Sequence, residues 1–223
     1  MTKQKTIAKY TNGMVCAALL FIQFETIAQT FKNTVSIFDG KTLDGWFANP
    51  GKNQHLWKVE NGVLVGGDGI NPIAENNYLC TKELFGDFEF RCLFRLSGDP
   101  ESGFINSGIQ YRSLLVDDNM VGYQADIGDG YWGDIYDEHR RGKLVGGQLE
   151  TLSHILLEDG WNSYIIRCKG KVHELYINGV KTCEYVETDP NIPSRGFIGL
   201  QLHSGGHAKV EFRDLTITDL ENK

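Results

Sequence analysis

The most constraining feature of this sequence is a two-residue alternation that runs from Asp87 to Leu96. Every second residue there is apolar, and most residues between them are charged. Because successive side chains of a β-strand point to opposite faces, the pattern predicts a strand with one buried face. The apolar set is Phe88, Phe90, Cys92, Phe94 and Leu96, and the charged set is Glu89, Arg91 and Arg95.

Tight turns separate further segments of this kind. Asn178-Gly179, a strong signal for a two-residue hairpin, is the last turn of a predicted three-strand meander. Only the region from Val145 to Leu157 is compatible with a turn or two of helix. Short strands with Gly-rich turns predict an all-β fold, a two-sheet antiparallel jelly-roll sandwich. The other predicted strands are a hairpin over Leu56–Val65, the meander strands Trp161–Cys168, Val172–Ile177 and Val180–Val186, and two late strands, Phe197–His203 and Lys209–Thr218.

The N-terminus resembles a secretory signal. Three lysines precede an apolar stretch from Met14 to Phe24, and Thr26-Ile27-Ala28 resembles a cleavage site before Gln29. Eleven residues are too few to span a bilayer, so we expect a signal peptide over residues 1–28, with a retained anchor as the alternative. Residues 29–223 then form a single domain, and we expect a periplasmic or secreted bacterial protein without stable membrane insertion.

Charge and cysteine content limit the kinds of binding partner and of cysteine chemistry that we expect. The formal net charge of −7 disfavours nucleic acid, which binds through cationic surfaces, and favours a neutral ligand. Of four cysteines beyond the signal, Cys80 and Cys92 flank Gly86 symmetrically, and a hairpin turning there would place them opposite each other. The pattern leaves open a disulfide between them or buried free thiols, and no cysteine spacing indicates a zinc site.

Three predicted strands carry pairs of hydrogen-bonding residues at i and i+2, which must share a strand face. The pairs are Gln110 with Arg112, Gln124 with Asp126, and Gln201 with His203. If these strands are neighbours, six polar groups form one patch suited to sugar hydroxyls and carbonyls. A solvated sheet face is the alternative, although such faces usually carry Lys, Glu and Thr.

The segment from Tyr123 to Arg141 combines five carboxylates, three tyrosines, one tryptophan and two arginines with turn-forming glycines. Aromatic faces stack on sugar rings, and partly buried carboxylates move protons, so we expect this segment to wall the polar patch. The alternatives are surface ion pairs or an irregular metal site, since the carboxylate spacing does not match a calcium loop. No Gly-x-Ser-x-Gly motif indicates a nucleophilic serine.

At these residues the chain resembles the 3-keto-disaccharide hydrolase domain family, over about Val35 to Leu220. That resemblance implies the fold of concanavalin A-like lectins and glucanases, with a curved sheet lining a sugar site. The stretches that carry it are FDGKTLDGW, GDFEFRCLFR, NSGIQYRS, GYQADIGDGYWGDIYDEHRR, YINGV, GLQLHSGG and VEFRDLTI.

The resemblance also implies a reaction, the cleavage of glycosides that carry a ketone at C3. A base removes the C2 proton, the C1 substituent leaves by β-elimination, and water adds to the enone. On this basis we expect Asp126 or His203 as the base, Glu138 as the acid, and Arg112 or a bound divalent metal as the enolate stabiliser. No cofactor is certain. We expect the substrate-binding residues to be Gln110, Arg112, Gln124, Tyr131, Trp132, Tyr136, Asp137, Arg140 and Gln201.

Two other functions remain open at this point. A conventional glycoside hydrolase would use two of the carboxylates directly. A carbohydrate-binding module would use the same patch without catalysis. In each case the expected partner is an oligosaccharide or an oxidised sugar.

Overall fold

The computed structural model describes residues 33–158 and 160–221. The chain divides into two units, Met1–Val35 and Ser36–Lys223, and only residues 33–35 of the first are described. The signal peptide predicted over residues 1–28 therefore lies outside the described residues. Within the described part of the chain, no helix is long and apolar enough to cross a membrane.

Strands dominate the described residues, and helical structure is confined to short segments. One α-helix, α1 (Leu149–Leu152), lies in the region predicted to hold a turn or two of helix, and 3-10 turns span Gly51–Leu56 and Pro100–Ser102. The strands are β1 (Thr34–Ser36), β2 (Trp46–Asn49), β3 (Trp57–Glu60), β4 (Val63–Gly67), β5 (Asn77–Thr81), β6 (Phe88–Asp99), β7 (Asn106–Val116), β8 (Asn119–Gly128), β9 (Ile135–Glu138), β10 (Gly142–Val145), β11 (Asn162–Lys169), β12 (Val172–Ile177), β13 (Val180–Val186), β14 (Phe197–Leu202) and β15 (His207–Asp219).

The larger unit is a sandwich of two antiparallel sheets. The first, sheet I, runs in the order β13-β12-β11-β6-β15-β4-β3, and the second, sheet II, runs β10-β9-β8-β7-β14-β5-β2. One continuous apolar core contains residues from both sheets, among them Phe90 and Phe212 from sheet I and Ile109 and Leu200 from sheet II. The alternation that predicted β6 is confirmed, because its apolar positions point into this core.

Predicted turns are also confirmed. Asn178 and Gly179 both adopt positive φ, at 49° and 80°, as a two-residue hairpin turn between β12 and β13 requires. Asn61 and Gly62 do the same between β3 and β4, at 50° and 82°. Asparagine and glycine tolerate this left-handed backbone region better than other residues, so sequence and local structure agree.

The hairpin considered around Gly86 does not form, and of the two alternatives for Cys80 and Cys92 the structure has buried free thiols. Cys80 belongs to β5 in sheet II and Cys92 to β6 in sheet I, so the chain crosses between the sheets at this point. The four described cysteines, Cys80, Cys92, Cys168 and Cys183, are free and buried. Burial raises the pKa of each thiol, for Cys80 to about 12, which keeps these side chains protonated and unreactive.

Candidate functional site

The three strands with polar pairs are neighbours in sheet II, in the order β8-β7-β14, which meets the condition set for a shared polar patch. Gln110 stands directly opposite Gln124, and Gly108 stands between Asp126 on one side and Gln201 on the other. Residues paired across neighbouring strands share a face, so Asp126, Gln124, Gln110 and Gln201 all lie on one face of sheet II. Their apolar neighbours, such as Ile109 and Leu200, face the core between the sheets.

A cleft opens on this face of sheet II. The space within it is about 420 Å³, part of which is open to solvent. Strands β7, β8 and β9 and the loops beside them contribute the lining. The lining residues are Phe104, Asn106, Gln124, Asp126, Tyr131, Tyr136, Glu138 and His203.

Asp126 is a carboxyl group at the buried side of the cleft, with 3% of its surface exposed. Its Oδ1 accepts a hydrogen bond from Gln124 Nε2 at 2.6 Å, whereas Oδ2 has no hydrogen-bond partner among the described residues. Burial raises the pKa of Asp126 well above its usual value, because a charged carboxylate loses its hydration there. The Gln124 hydrogen bond lowers the pKa, and the nearby Glu138 charge raises it further.

Glu138 is the second carboxyl group of the cleft, on β9, with its side chain 14% exposed. Burial also raises its pKa, and the imidazoles of His139 and His203 partly offset this effect. The adjacent Asp137 points the opposite way, as alternation along a strand requires. Its carboxylate is fully buried, binds Arg140 with Nη2 and Oδ1 2.7 Å apart, and also pairs with Arg141.

His203 follows β14 and completes the set of titratable groups in the cleft. Its Nδ1 lies 2.6 Å from the carbonyl oxygen of Ser204, and the Phe104 ring packs edge-on against the imidazole at 5.0 Å. A carbonyl oxygen only accepts, so Nδ1 carries the proton of this hydrogen bond. In the neutral ring the lone pair is then on Nε2, which is the form that a general base needs.

Aromatic rings form the rim of the cleft. Phe104 and Tyr131 meet edge to face at 5.9 Å, and both are partly exposed, while Tyr136 lines the wall. Neither Phe104 nor Asn106 was predicted from the sequence, because they lie in and just after a Gly- and Ser-containing loop. An exposed phenylalanine flanked by turn residues is the one signal that would have indicated Phe104.

The placement predicted for Arg112 is wrong. The register of β7 against β8 shifts between Tyr111 and Leu114, and Arg112 has a positive φ of 47°, so it does not share a face with Gln110. Its guanidinium instead donates to the carbonyl oxygens of Gly86 at 2.9 Å and Gly170 at 2.8 Å and pairs with Asp87. Arg112 therefore bridges to segments beside sheet I and lies outside the cleft.

Five more residues expected to contact the ligand do not line the cleft. Trp132 packs against the core and stacks on Phe94 at 6.2 Å, so its ring is not part of the rim. Asp137 and Arg140 pair with each other on the inner side of β9. Gln110 and Gln201 lie on the same face of sheet II as the cleft, but both side chains are fully buried and do not line it. The structure thus brings together Asp126, Glu138, His203, Gln124, Tyr131 and Tyr136.

A metal alternative was also considered from the sequence. Among residues 33–158 and 160–221, no group of three or more His, Cys, Asp or Glu side chains is arranged to hold a metal ion. The described residues therefore do not form a metal site of that kind, and no step of the chemistry below is assigned to one.

These features define a class, an antiparallel jelly-roll sandwich with a polar, aromatic-rimmed cleft on one sheet face. The chain belongs to the family of the 3-keto-alpha-glucoside-1,2-lyase-like domain, whose profile matches residues 33–218. This match confirms the resemblance found in the sequence. Membership supports a carbohydrate-active protein, with enzymatic action on a saccharide ligand.

Solved structures share the fold. A protein from Parabacteroides distasonis ATCC 8503, assigned as a glycosyl hydrolase, has a TM-score of 0.61 at 18% identity, over 85% of this chain and 95% of the other. The carbohydrate binding module CBM66 from Bacillus subtilis has a TM-score of 0.55 at 13% identity, over 78% and 96%. The VIP36 exoplasmic/lumenal domain, in a Ca²⁺/Man3GlcNAc-bound form, has a TM-score of 0.57 at 9% identity, over 86% and 90%. No curated protein matches the chain.

Proposed function

We propose that this protein cleaves glycosides whose sugar carries a ketone at C3. The ketone acidifies the neighbouring C2–H bond. Removal of that proton gives an enolate, and its electrons form the C1–C2 double bond as the C1–O bond to the leaving group breaks. Water then adds its oxygen at C1, and a proton returns to C2, so that the net change is hydrolysis.

The observation that carries this proposal is one cleft holding two protonation-prone carboxyl groups and an imidazole. Burial raises the pKa of both Asp126 and Glu138, and His203 lies across the same cleft. A group that can accept a proton and a group that can donate one, held in one cleft, are what proton abstraction and leaving-group protonation require. Surface ion pairing, the alternative considered for these carboxylates, does not fit their burial, because exposed ion pairs keep carboxylates hydrated.

The geometry supports a division of roles. His203, with the lone pair on Nε2 in its neutral form, is assigned as the base that removes the C2 proton. Glu138, whose raised pKa favours the protonated form, is assigned as the acid that protonates the leaving oxygen. Tyr131, Tyr136 and Phe104 supply ring faces for the sugar.

The test compares a 3-keto-α-glucoside with its unoxidised parent, each incubated with and without a chelator. We expect release of the leaving group from the keto form alone, in both conditions. Release from the parent at a similar rate would instead support a conventional hydrolase that uses the two carboxyl groups directly. Release from neither, together with tight binding of the sugar, would support a binding module. Loss of release with chelator would mean that a metal supplies part of the chemistry.

Export is also part of the proposal, since the basic and apolar N-terminal segment supports a signal peptide over residues 1–28. Expression of the full chain in a bacterial host, with N-terminal sequencing of the exported protein, tests it. A new terminus at Gln29 in the periplasm or medium is expected. Retention of Met1 on a cytoplasmic protein would contradict it.

A further inference from the structure

Four buried polar side chains form a continuous hydrogen-bonded chain under the cleft. Ser113 Oγ donates to Gln110 Oε1 at 2.8 Å, and Gln110 Nε2 donates to Gln124 Oε1 at 2.9 Å. Gln124 Nε2 then donates to Asp126 Oδ1 at 2.6 Å. Each member is at most 3% exposed, so water does not compete for these bonds.

The chain has a direction. The hydroxyl of Ser113 has one proton to donate, and of its three neighbouring acceptors Gln110 Oε1 is the nearest, at 2.8 Å against 3.1 and 3.3 Å for the carbonyl oxygens of Tyr111 and Tyr123. Each glutamine turns its oxygen toward Ser113 and its nitrogen toward Asp126. Gln124 therefore presents an N–H group to Oδ1 of Asp126, and this oxygen accepts the hydrogen bond.

The other oxygen of the carboxyl group is left unpaired. Oδ2 is buried and has no hydrogen-bond partner among the described residues, although Asp126 lines the cleft. A buried acceptor without a donor is costly, whereas a protonated oxygen there becomes a donor to a bound ligand. Because Oδ1 already faces an N–H group, a proton on this carboxyl group belongs on Oδ2.

We propose that Ser113, Gln110 and Gln124 are positioning residues that keep the proton of Asp126 on Oδ2, from which Asp126 donates a hydrogen bond to the ketone oxygen of the substrate. The inference rests on the function proposed above and gives Asp126 a role other than the base. As the C2 proton leaves, negative charge develops on that oxygen, and a hydrogen bond from a neutral acid stabilises it.

The surroundings of Asp126 agree with a neutral acid. Burial and the carboxylates of Glu138 and Asp134 raise its pKa, whereas the Gln124 hydrogen bond and Lys143 lower it. Lys143 is itself committed to Asp134, with Nζ and Oδ2 2.5 Å apart. Across the cleft lie Glu138 and His203, the groups assigned above to proton transfer.

Infrared spectroscopy tests the position of the proton without any turnover. At neutral pH we expect a carbonyl-stretch band of a protonated carboxylic acid that is absent in Asp126→Asn. In Gln124→Met the band should move to higher frequency, because the carbonyl oxygen Oδ1 loses its hydrogen bond. A band that does not move would place the proton on Oδ1, and absence of the band in the unaltered protein would show an ionised Asp126. Either result overturns the proposal.

Kinetics on a 3-keto-α-glucoside then tests the role. Asp126→Asn keeps an N–H group at the position of Oδ2 and is expected to retain kcat within about tenfold, whereas Asp126→Leu should lose about 10²–10³-fold, as for other removed oxyanion donors. Ser113→Ala should lower kcat several-fold with little change in KM. The control, Ser107→Ala, removes a buried hydroxyl of the same strand that donates to the Gln201 carbonyl oxygen, and should keep full activity.

The outcomes separate this inference from the proposed function. If Asp126→Asn is as inactive as Asp126→Leu while the unaltered protein turns over, Asp126 is a base or nucleophile and the inference is wrong. If the unaltered protein does not turn over 3-keto-glucosides at all, the proposed function fails. The infrared band still decides where the proton lies in that case.

Discussion

Asp126 is expected to destabilise the folded protein as pH rises, and Asp126→Asn should remove this effect. In the unfolded chain an aspartate has a pKa of about 3.9, whereas burial holds the pKa of Asp126 well above that value in the folded protein. Between the two pKa values the folded state binds one proton more than the unfolded state. The contribution of this group to the free energy of unfolding is therefore largest below its pKa in the unfolded chain. The contribution decreases as pH rises toward its pKa in the folded protein.

The magnitude follows from the single proton involved. One proton of difference changes the free energy of unfolding by about 1.4 kcal/mol per pH unit. Asparagine keeps the shape of the side chain and the acceptor for Gln124 Nε2, so the variant loses little packing. At pH values between the pKa in the unfolded chain and the pKa in the folded protein, the free energy of unfolding of Asp126→Asn relative to the unaltered protein should rise by about 1.4 kcal/mol per pH unit.

Urea denaturation followed by tryptophan fluorescence at several pH values measures this difference. Asp129→Asn serves as the control, because Asp129 is exposed in the same segment and gains no burial on folding. The control should show no such rise. A difference between Asp126→Asn and the unaltered protein that stays constant with pH would refute the reasoning, since Asp126 would then have the same charge in both states.

Three further predictions follow from the same contacts. Glu138→Gln should lower kcat on a 3-keto-α-glucoside about 10²–10⁴-fold while leaving the circular dichroism spectrum unchanged, and equal activity would remove Glu138 from the mechanism. Phe104→Ala should raise KM by up to about tenfold with kcat retained, as measured by initial rates; an unchanged KM would show that the rim does not bind sugar. Arg112→Met should lower the free energy of unfolding, measured by urea denaturation, by about 3 kcal/mol or more, because it leaves Asp87 and two carbonyl oxygens without their buried partner. A decrease below about 1 kcal/mol would contradict this structural role.

Most of the sandwich could be predicted from the sequence because its strands obey a local rule. The alternation in β6 and the Asn-Gly turn after β12 depend on neighbouring residues alone, and both predictions are confirmed. The crossing of the chain between the sheets near Gly86 depends on long-range pairing of β5 with β14 and of β6 with β15. No local pattern around Cys80 and Cys92 reports that pairing, which explains why the sequence left open a hairpin that does not form.

In the candidate site, too, the predictions that rest on a local pattern are the correct ones. Gln124 and Asp126 were found because strand alternation puts them on one face, and Glu138 because carboxylates beside aromatic residues are unusual in a core. Arg112 was misplaced because a bulge with a positive φ at an arginine has no sequence signature. Trp132 was misplaced for a different reason: an aromatic ring in an acidic segment packs equally well on a sugar or on the core.

The source of the hydrogen at C2 of the product distinguishes elimination and hydration from direct hydrolysis. Cleavage of a 3-keto-α-glucoside in D₂O, followed by NMR of the released sugar at early times, measures it directly, with the product sugar alone in D₂O correcting for spontaneous exchange. We predict one deuterium at C2 for each bond cleaved. Product that retains its original hydrogen at C2 would contradict proton abstraction as the first step.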